Sequence, residues 1–126
     1  MANIELKFLH VCENALVSQG GNLSIVEIFN QIKADNFPAA HPKLAIVSSF
    51  SGDIGKYIEI IEIVSPKGEV IARVEKSEIE ITKSGGAANF IANFIGLIFS
   101  VEGKYLIRVK VNGRLLSEDN FILLSK

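Results

Sequence analysis

The stretch that decides the fold is GKYLIRVKVNGRLL, residues 103–116. Apolar residues occupy alternate positions and basic residues occupy most of the positions between them: Tyr105, Ile107, Val109 and Val111 against Lys104, Arg108 and Lys110. A period of two is typical of a β-strand with one face on a core and the other in water. Asn112-Gly113 supplies the two positive-φ residues of a tight type I′ turn, so the stretch predicts a β-hairpin.

The returning strand of this hairpin cannot be regular. A two-residue turn places Leu116 opposite Val109 on the core side, but Phe121 then has the wrong parity to share that face. We expect a β-bulge between Ser117 and Asn120, because the residues there are poor strand formers.

The rest of the chain reads as short apolar strands separated by turn formers. These strands are predicted at residues 4–12, 23–32, 44–50, 56–64, 69–75 and 87–99. Residues 37–42 are predicted as a loop, because Pro38 and Pro42 cannot donate backbone hydrogen bonds. A second β-bulge is expected near Lys76-Ser77, where the inward-facing positions change from even to odd numbers.

Residues 87–99 allow two interpretations. The tetrapeptide Ala-Asn-Phe-Ile occurs at 88–91 and again at 92–95, so Phe90, Phe94 and Ile98 are spaced by four, as on one face of a helix. Against a helix, no strong cap precedes the segment, and phenylalanine and isoleucine favour strands. We favour a strand.

About eight short strands without a convincing helix predict an all-β protein, built as an antiparallel sandwich or barrel. A sandwich of about seven to nine strands is favoured, because segments such as Glu78-Ile79-Glu80-Ile81 are apolar on one face and charged on the other. The topology expected is immunoglobulin-like or a related Greek key, although the disulfide and tryptophan of antibody domains are absent. The length of 126 residues suits one domain, 1–126.

Composition narrows the classes of function and location. Thirteen basic and fourteen acidic residues give a net charge of −1, without the basic excess typical of nucleic-acid binders. Cys12 is the only cysteine, which excludes an intrachain disulfide and suits a reducing compartment. The N-terminal sequence lacks the pattern of a signal peptide, and the most apolar window is too short to cross a membrane as a helix. We expect a cytoplasmic protein that binds neither nucleic acid nor membranes.

Candidate chemistry is sparse. His10 and Cys12 lie two apart on a predicted strand, hence on one face, but a metal site needs further ligands, and nothing in the sequence places Glu27 or Glu62 beside them. His41 lies in the proline-bounded loop, where a histidine usually bonds a neighbouring loop. The glutamates at 75, 78 and 80 fit solvated strand positions better than a glycosidase pair. We therefore predict no catalytic residues, no metal ligands and no cofactor.

The apolar window at residues 90–99 supports one functional hypothesis. As a strand it carries apolar side chains on both faces, which indicates burial beneath a loop or contact with another chain. We expect a homodimer or protein-partner interface formed by Phe90, Ile91, Phe94 and Ile95 and by the sheet edge to which they belong.

Several motifs together resemble a family of small prokaryotic proteins of unknown function. They are Cys12-Glu13-Asn14-Ala15, the segment GNLSIVEIF at 21–29, Phe37-Pro38, His41-Pro42, Pro66-Lys67-Gly68-Glu69, and Gly103-Lys104-Tyr105 through Asn112-Gly113. The resemblance covers nearly the whole chain and implies a single-domain, immunoglobulin-like β-sandwich. It brings no established activity, so no functional residue is carried over.

Three functions stay open at this point. The one favoured is a non-enzymatic binding or scaffold module that contacts proteins through loops or an edge strand. The alternatives are a sandwich that holds a small apolar ligand near Phe90 and Phe94, and an enzyme that uses His41 or Cys12. A concave pocket in which one of these two residues meets a second titratable group would favour the enzyme.

Overall fold

The fold is all-β, as a computed structural model of residues 3–83 and 86–126 shows. Within these ranges the chain forms nine strands: β1 Ile4–Val17, β2 Leu23–Ile28, β3 Gln31–Ala34, β4 Ala39–Gly52, β5 Gly55–Val64, β6 Val70–Ile81, β7 Ala87–Phe99, β8 Gly103–Val111 and β9 Arg114–Ser125. The described chain contains no helix long and apolar enough to cross a membrane. Residues 87–99 form a strand, as predicted.

The strands form two sheets, which confirms the predicted sandwich. One sheet has four strands in the order β2-β1-β4-β7, and the other has five in the order β3-β9-β8-β5-β6. The four-stranded sheet is antiparallel throughout. The five-stranded sheet is mixed, because β3 runs parallel to β9. The prediction of a wholly antiparallel sandwich is therefore wrong at this pair.

The parallel pair arises where the chain crosses between the sheets. The single strand predicted at 23–32 is two strands, β2 in the four-stranded sheet and β3 in the five-stranded sheet. Glu27 has a φ of 55°, a left-handed conformation that few non-glycine residues adopt, and it bends the chain near the end of β2. Phe29 follows and packs against the core between the sheets. Apolar residues lie both before and after Phe29, at Ile25, Ile28 and Ile32, so the sequence pattern did not reveal this crossing.

The core between the sheets is built from alternate residues of the central strands. Ile61, Ile63, Ile107 and Val109 of the five-stranded sheet are at most 1% exposed. Leu44, Ile46 and Phe50 contribute from β4 of the other sheet. Three aromatic rings close one end of the core, with Phe99 5.0 Å from Tyr105 and 5.9 Å from Phe121 between ring centroids. Each such side chain stabilises the fold by about 1.5–3 kcal/mol through its burial.

The C-terminal hairpin forms with the predicted turn. Asn112 and Gly113 have φ values of 51° and 82°, and Val111 pairs with Arg114 across them. The bulge lies earlier than predicted, because Val109 pairs with Ser117 and Lys110 with Leu115. Leu116 is therefore the extra residue, and the shift it introduces lets Phe121 and Leu123 face the core. The parity argument predicted that a bulge exists but placed it one residue too late, because Leu116 itself packs half-buried against the core.

Two further irregularities shape the sheets. The bulge predicted near Lys76-Ser77 is present, since Glu59 pairs with Ser77 whereas Ile61 pairs with Val74. The loop predicted at 37–42 is wrong in its second half, because β4 already begins at Ala39 and includes Pro42. Proline is tolerated there because Pro42 lies opposite Gly96 in a part of the ladder where neither residue pairs.

Gly96 inverts the faces of β7. Before it, Ala88, Ala92 and Phe94 are buried, all at even positions, whereas Phe99 is buried after it. The φ of Gly96 is 68°, which a residue with a side chain rarely adopts. The sequence pattern could not show which positions of this strand face inward, because both faces are apolar.

Candidate functional site

His10 and Cys12 lie on the outer face of the four-stranded sheet. Cys12 pairs with Ala45, while the alternating neighbours Val11 and Ile46 belong to the core between the sheets. Cys12 is completely buried, and this burial raises the pKa of its thiol. The ring of His10 stacks on Phe8 with centroids 5.3 Å apart. A buried, protonated thiol is a poor nucleophile and a poor metal ligand.

Of the two glutamates considered as further ligands, Glu62 is on the opposite sheet from His10 and Cys12. Glu62 lies on the five-stranded sheet, where its carboxylate is 3.1 Å from Lys110 Nζ and 3.7 Å from Arg73 Nε. Within residues 3–83 and 86–126 no three histidine, cysteine, aspartate or glutamate side chains are grouped so that they could hold a metal ion.

His41 is on β4 and not in a loop. Its Nε2 is 3.9 Å from a carboxylate oxygen of Glu13, and its ring meets Phe29 edge to face at 5.8 Å. The Nε2 atom is buried and has no hydrogen-bond partner among the described residues. This arrangement places His41 against the neighbouring strand β1 and the ring of Phe29.

The three glutamates of β6 are exposed. Glu75 lies 3.3 Å from Arg73, and Glu78 lies 3.9 Å from Lys56. Exposed ion pairs of this kind contribute little to stability and are typical of a solvated strand.

Glu59 is a buried acid that the sequence analysis missed. It faces the core from β5 and accepts a hydrogen bond from the hydroxyl of Ser48 at 2.8 Å. Burial raises the pKa of Glu59 to about 7, although the bond from Ser48 acts in the opposite direction. The other carboxylate oxygen has no hydrogen-bond partner in the described part of the chain. The alternation of β5 could have indicated it, because Glu59 is at an odd position, like the inward-facing Tyr57, Ile61 and Ile63.

The outer face of the four-stranded sheet carries a second apolar cluster, separate from the core. Its buried members are small: Cys12, Ala15, Ala45 and Val47. Larger side chains pack around them: Phe8, Leu23, Ile25 and Ile91. We call these eight residues the outer cluster. Burial of small residues on an outer face requires the larger neighbours to fold over them, which leaves an apolar surface toward solvent.

The four residues predicted as an interface divide between the two faces of β7. Phe90 and Phe94 pair with Ser48 and Leu44 and point toward the core, with Phe94 only 9% exposed. Ile91 lies on the opposite face and packs in the outer cluster. Ile95 points the same way and is 83% exposed. Of the four residues, only the two isoleucines therefore lie on the outer face of the sheet.

The edge formed by β7 differs from the other edges of the two sheets. It contains 13 residues, from Ala87 to Phe99, and none of them is charged or proline. The edge strand β6 carries four exposed charges and a bulge, β3 is only four residues long, and β2 is bent at Glu27. Charges, bulges and short length are the usual protection of an edge against pairing with another chain. Gly96 is the single irregularity in β7.

The outer face of the five-stranded sheet differs in carrying ion pairs between charged side chains, alongside Ile58 and Ile122, which are 38% and 37% exposed. Arg108 Nε donates to Glu118 at 2.8 Å, beside the group formed by Glu62, Lys110 and Arg73. The two outer surfaces of the sandwich thus differ in chemistry, and the apolar one is the candidate binding surface.

Strand order and one tyrosine define the class of protein. Strands β1, β4 and β7 take the places of strands A, B and E of the immunoglobulin fold, while β9, β8 and β5 take those of G, F and C. Tyr105, near the start of β8, donates its hydroxyl to the carbonyl of Val101 at 2.6 Å, which is the tyrosine corner found in this fold. The protein is an immunoglobulin-like β-sandwich. The chain belongs to the family of unknown function DUF6941, whose model matches residues 7–123.

Solved structures share the architecture at low sequence identity. The chain resembles part of the alkylpurine DNA glycosylase AlkC from Pseudomonas fluorescens, bound to DNA containing an abasic site analogue, with a TM-score of 0.61 and 12% identity over 98% of this chain. It resembles part of β-glucosidase 3B from Thermotoga neapolitana, in complex with glycerol, with a TM-score of 0.56 and 13% identity over 96% of this chain. The chain spans 31% and 16% of these two proteins.

A third similar structure matches over its whole length. It is an immunoglobulin-like protein from Pseudomonas aeruginosa, with a TM-score of 0.49, 17% identity and coverage of 97% of both chains. No curated protein matches the sequence. At these identities the likeness concerns the fold alone, and activity does not follow from fold.

Proposed function

We propose that this domain is a non-enzymatic binding module that acts through protein–protein contacts. Its contact surface is the edge of β7 together with the outer cluster and Ile95, on the outer face of the four-stranded sheet. The observation that carries the proposal is Ile95, an isoleucine 83% exposed on an edge strand without charges. Covering such a side chain stabilises a complex by about 2 kcal/mol.

Two features of the surface favour a protein partner over a nucleic acid. The chain has a net charge of −1, and β7 itself carries no basic residue to meet phosphates. An apolar patch beside an unpaired strand edge suits β-strand addition, in which backbone hydrogen bonds provide affinity and side chains provide specificity. The proposal places the domain in the cytoplasm, where the lone thiol of Cys12 stays reduced.

The proposal is tested with Ile95→Lys and a matched control, Ile54→Lys. Ile54 is also an isoleucine, 62% exposed, but it lies in the turn between β4 and β5. The mass of each purified protein is measured in solution, and partners are captured by chemical cross-linking from a lysate of the source cells.

We expect Ile95→Lys to lose self-association or captured partners that the wild type and Ile54→Lys both retain. Equal behaviour of all three proteins in both assays would refute the proposed surface. Phe94→Glu is unsuitable as a test, because Phe94 belongs to the core and a buried charge there would unfold the domain.

A further inference from the structure

We propose that β7 pairs antiparallel with β7 of a second copy of this chain, about a two-fold axis that passes Asn93. Pairing of this kind would join the two four-stranded sheets into one continuous sheet. The inference rests on the proposed function, because it names the partner of the same surface.

The outer side of β7 leaves backbone groups without a partner strand. β7 is hydrogen-bonded to β4 on one side only, and in the described residues no other strand pairs with it. Alternate N–H and C=O groups along 13 residues therefore point outward and need a partner or water. A two-fold interface uses the same patch on both copies, so a self-complementary strand edge gives a closed dimer.

The repeated Ala-Asn-Phe-Ile makes β7 complementary to a second copy of itself. With Asn93 on the axis, Ala92 lies opposite the partner's Phe94, so a small side chain meets a large one on the core side. On the outer side, Ile91 lies opposite the partner's Ile95. Directly opposed pairs of this kind stabilise a sheet.

Gly96 leaves room for an aromatic ring of the second copy. In the same register Phe90 lies opposite the partner's Gly96. A Cβ atom placed on Gly96 would meet no atom within 4 Å, so there is open space beside it. Phe90 is only half-buried within its own chain, and the register gives its ring a place beside a residue without a side chain.

The experiment uses cysteine cross-linking of the full chain. Asn93→Cys places two thiols across the axis, where opposed Cα atoms are about 4.5–5.5 Å apart, within the range of a disulfide. Ile98→Cys is the matched control on the same strand, because two residues 98 would be about 33 Å apart in this register. Both native side chains are exposed, and Cys12 is buried in every variant.

We expect mild oxidation to double the mass of Asn93→Cys in denaturing electrophoresis, reversibly by reductant, while Ile98→Cys stays monomeric. An independent check mixes Ile91→Cys with Ile95→Cys, which should cross-link to each other and not to themselves. A wild type that sediments as a monomer at high micromolar concentration would overturn the inference.

A wild-type dimer in which Asn93→Cys does not cross-link, or in which Ile98→Cys does, would overturn it as well. In that case the proposed function would stand if capture still depended on Ile95, so the two failures are distinguishable.

Discussion

Both tyrosines of the chain tie the start of a strand to the turn that precedes it. The hydroxyl of Tyr105 donates to the carbonyl of Val101, and that of Tyr57 donates to the carbonyl of Asp53 at 2.8 Å, in each case four residues back. The rings are buried while the hydroxyls fix the turns. Each tyrosine thus combines core packing with a polar contact that aligns the connection between strands.

Tyr105→Phe removes this bond and keeps the ring between Phe99 and Phe121. We expect the free energy of unfolding to fall by about 1–2 kcal/mol, because a carbonyl that lost its donor must be rehydrated or left unpaired. Urea unfolding measures the change. An unchanged unfolding midpoint would mean that the tyrosine corner does not contribute to stability.

Glu59 makes stability depend on pH. In the unfolded chain its carboxyl ionises near its usual pKa of 4.5, but in the fold the pKa is raised to about 7 because the group is buried. The folded state thus holds a proton that the unfolded state releases between these values. The free energy of unfolding should fall as pH rises from about 4.5 to 7, by about 3 kcal/mol from this group.

Glu59→Gln removes the ionisation while a side-chain oxygen can still accept from Ser48. We expect the difference in free energy of unfolding between the variant and the wild type to grow over this pH range and to level off above it. Unfolding curves at several pH values measure the difference. A constant difference would show that Glu59 titrates normally in the fold.

At the scale of elements, sequence periodicity predicted most strands and two of the register shifts, one of them a residue away from its observed place. Where periodicity failed, two different arrangements of strands were compatible with the same residue pattern. The segment at 23–32 has apolar residues on both sides of Phe29, so its pattern fits either one strand or a crossing between the sheets. Pro42 forbids a backbone hydrogen bond, but a strand accommodates it where the opposite residue, Gly96, leaves the ladder unpaired.

The candidate site was predictable in outline only. Two-sided apolarity drew attention to β7, but the direction of each side chain depends on the inversion at Gly96 and on the register with β4. The outer cluster combines residues from all four strands of the sheet, far apart in sequence, so no local pattern could reveal it. The same holds for the contact between Glu59 and Ser48.

Gly96 offers a test of the inversion in β7. In Gly96→Ala the new Cβ has open space, so the cost arises from the backbone conformation alone. A left-handed φ costs a residue with a side chain about 1–2 kcal/mol, and we expect that loss in the free energy of unfolding. Gly20→Ala is the control, since its Cβ would meet nothing closer than 3.8 Å and its φ needs no glycine. Equal stability of both variants would contradict the inversion.

The whole molecule is a sandwich with two unlike outer surfaces. Ion pairs around Glu62 and Arg108 cover the five-stranded sheet, whereas the four-stranded sheet is covered by the outer cluster. The polar surface keeps the domain hydrated on one side. The apolar surface borders β7, an edge strand of 13 residues without charges.

Because Cys12 is completely buried, the reactivity of its thiol can report how often this part of the sheet opens. The only thiol of the chain lies at the centre of the outer cluster, so an alkylating reagent reaches it only while that part of the sheet is transiently open. The rate of alkylation then reports the free energy of local opening, without any added label. A partner that covers this surface would slow the reaction, so the rate also measures occupancy in real time.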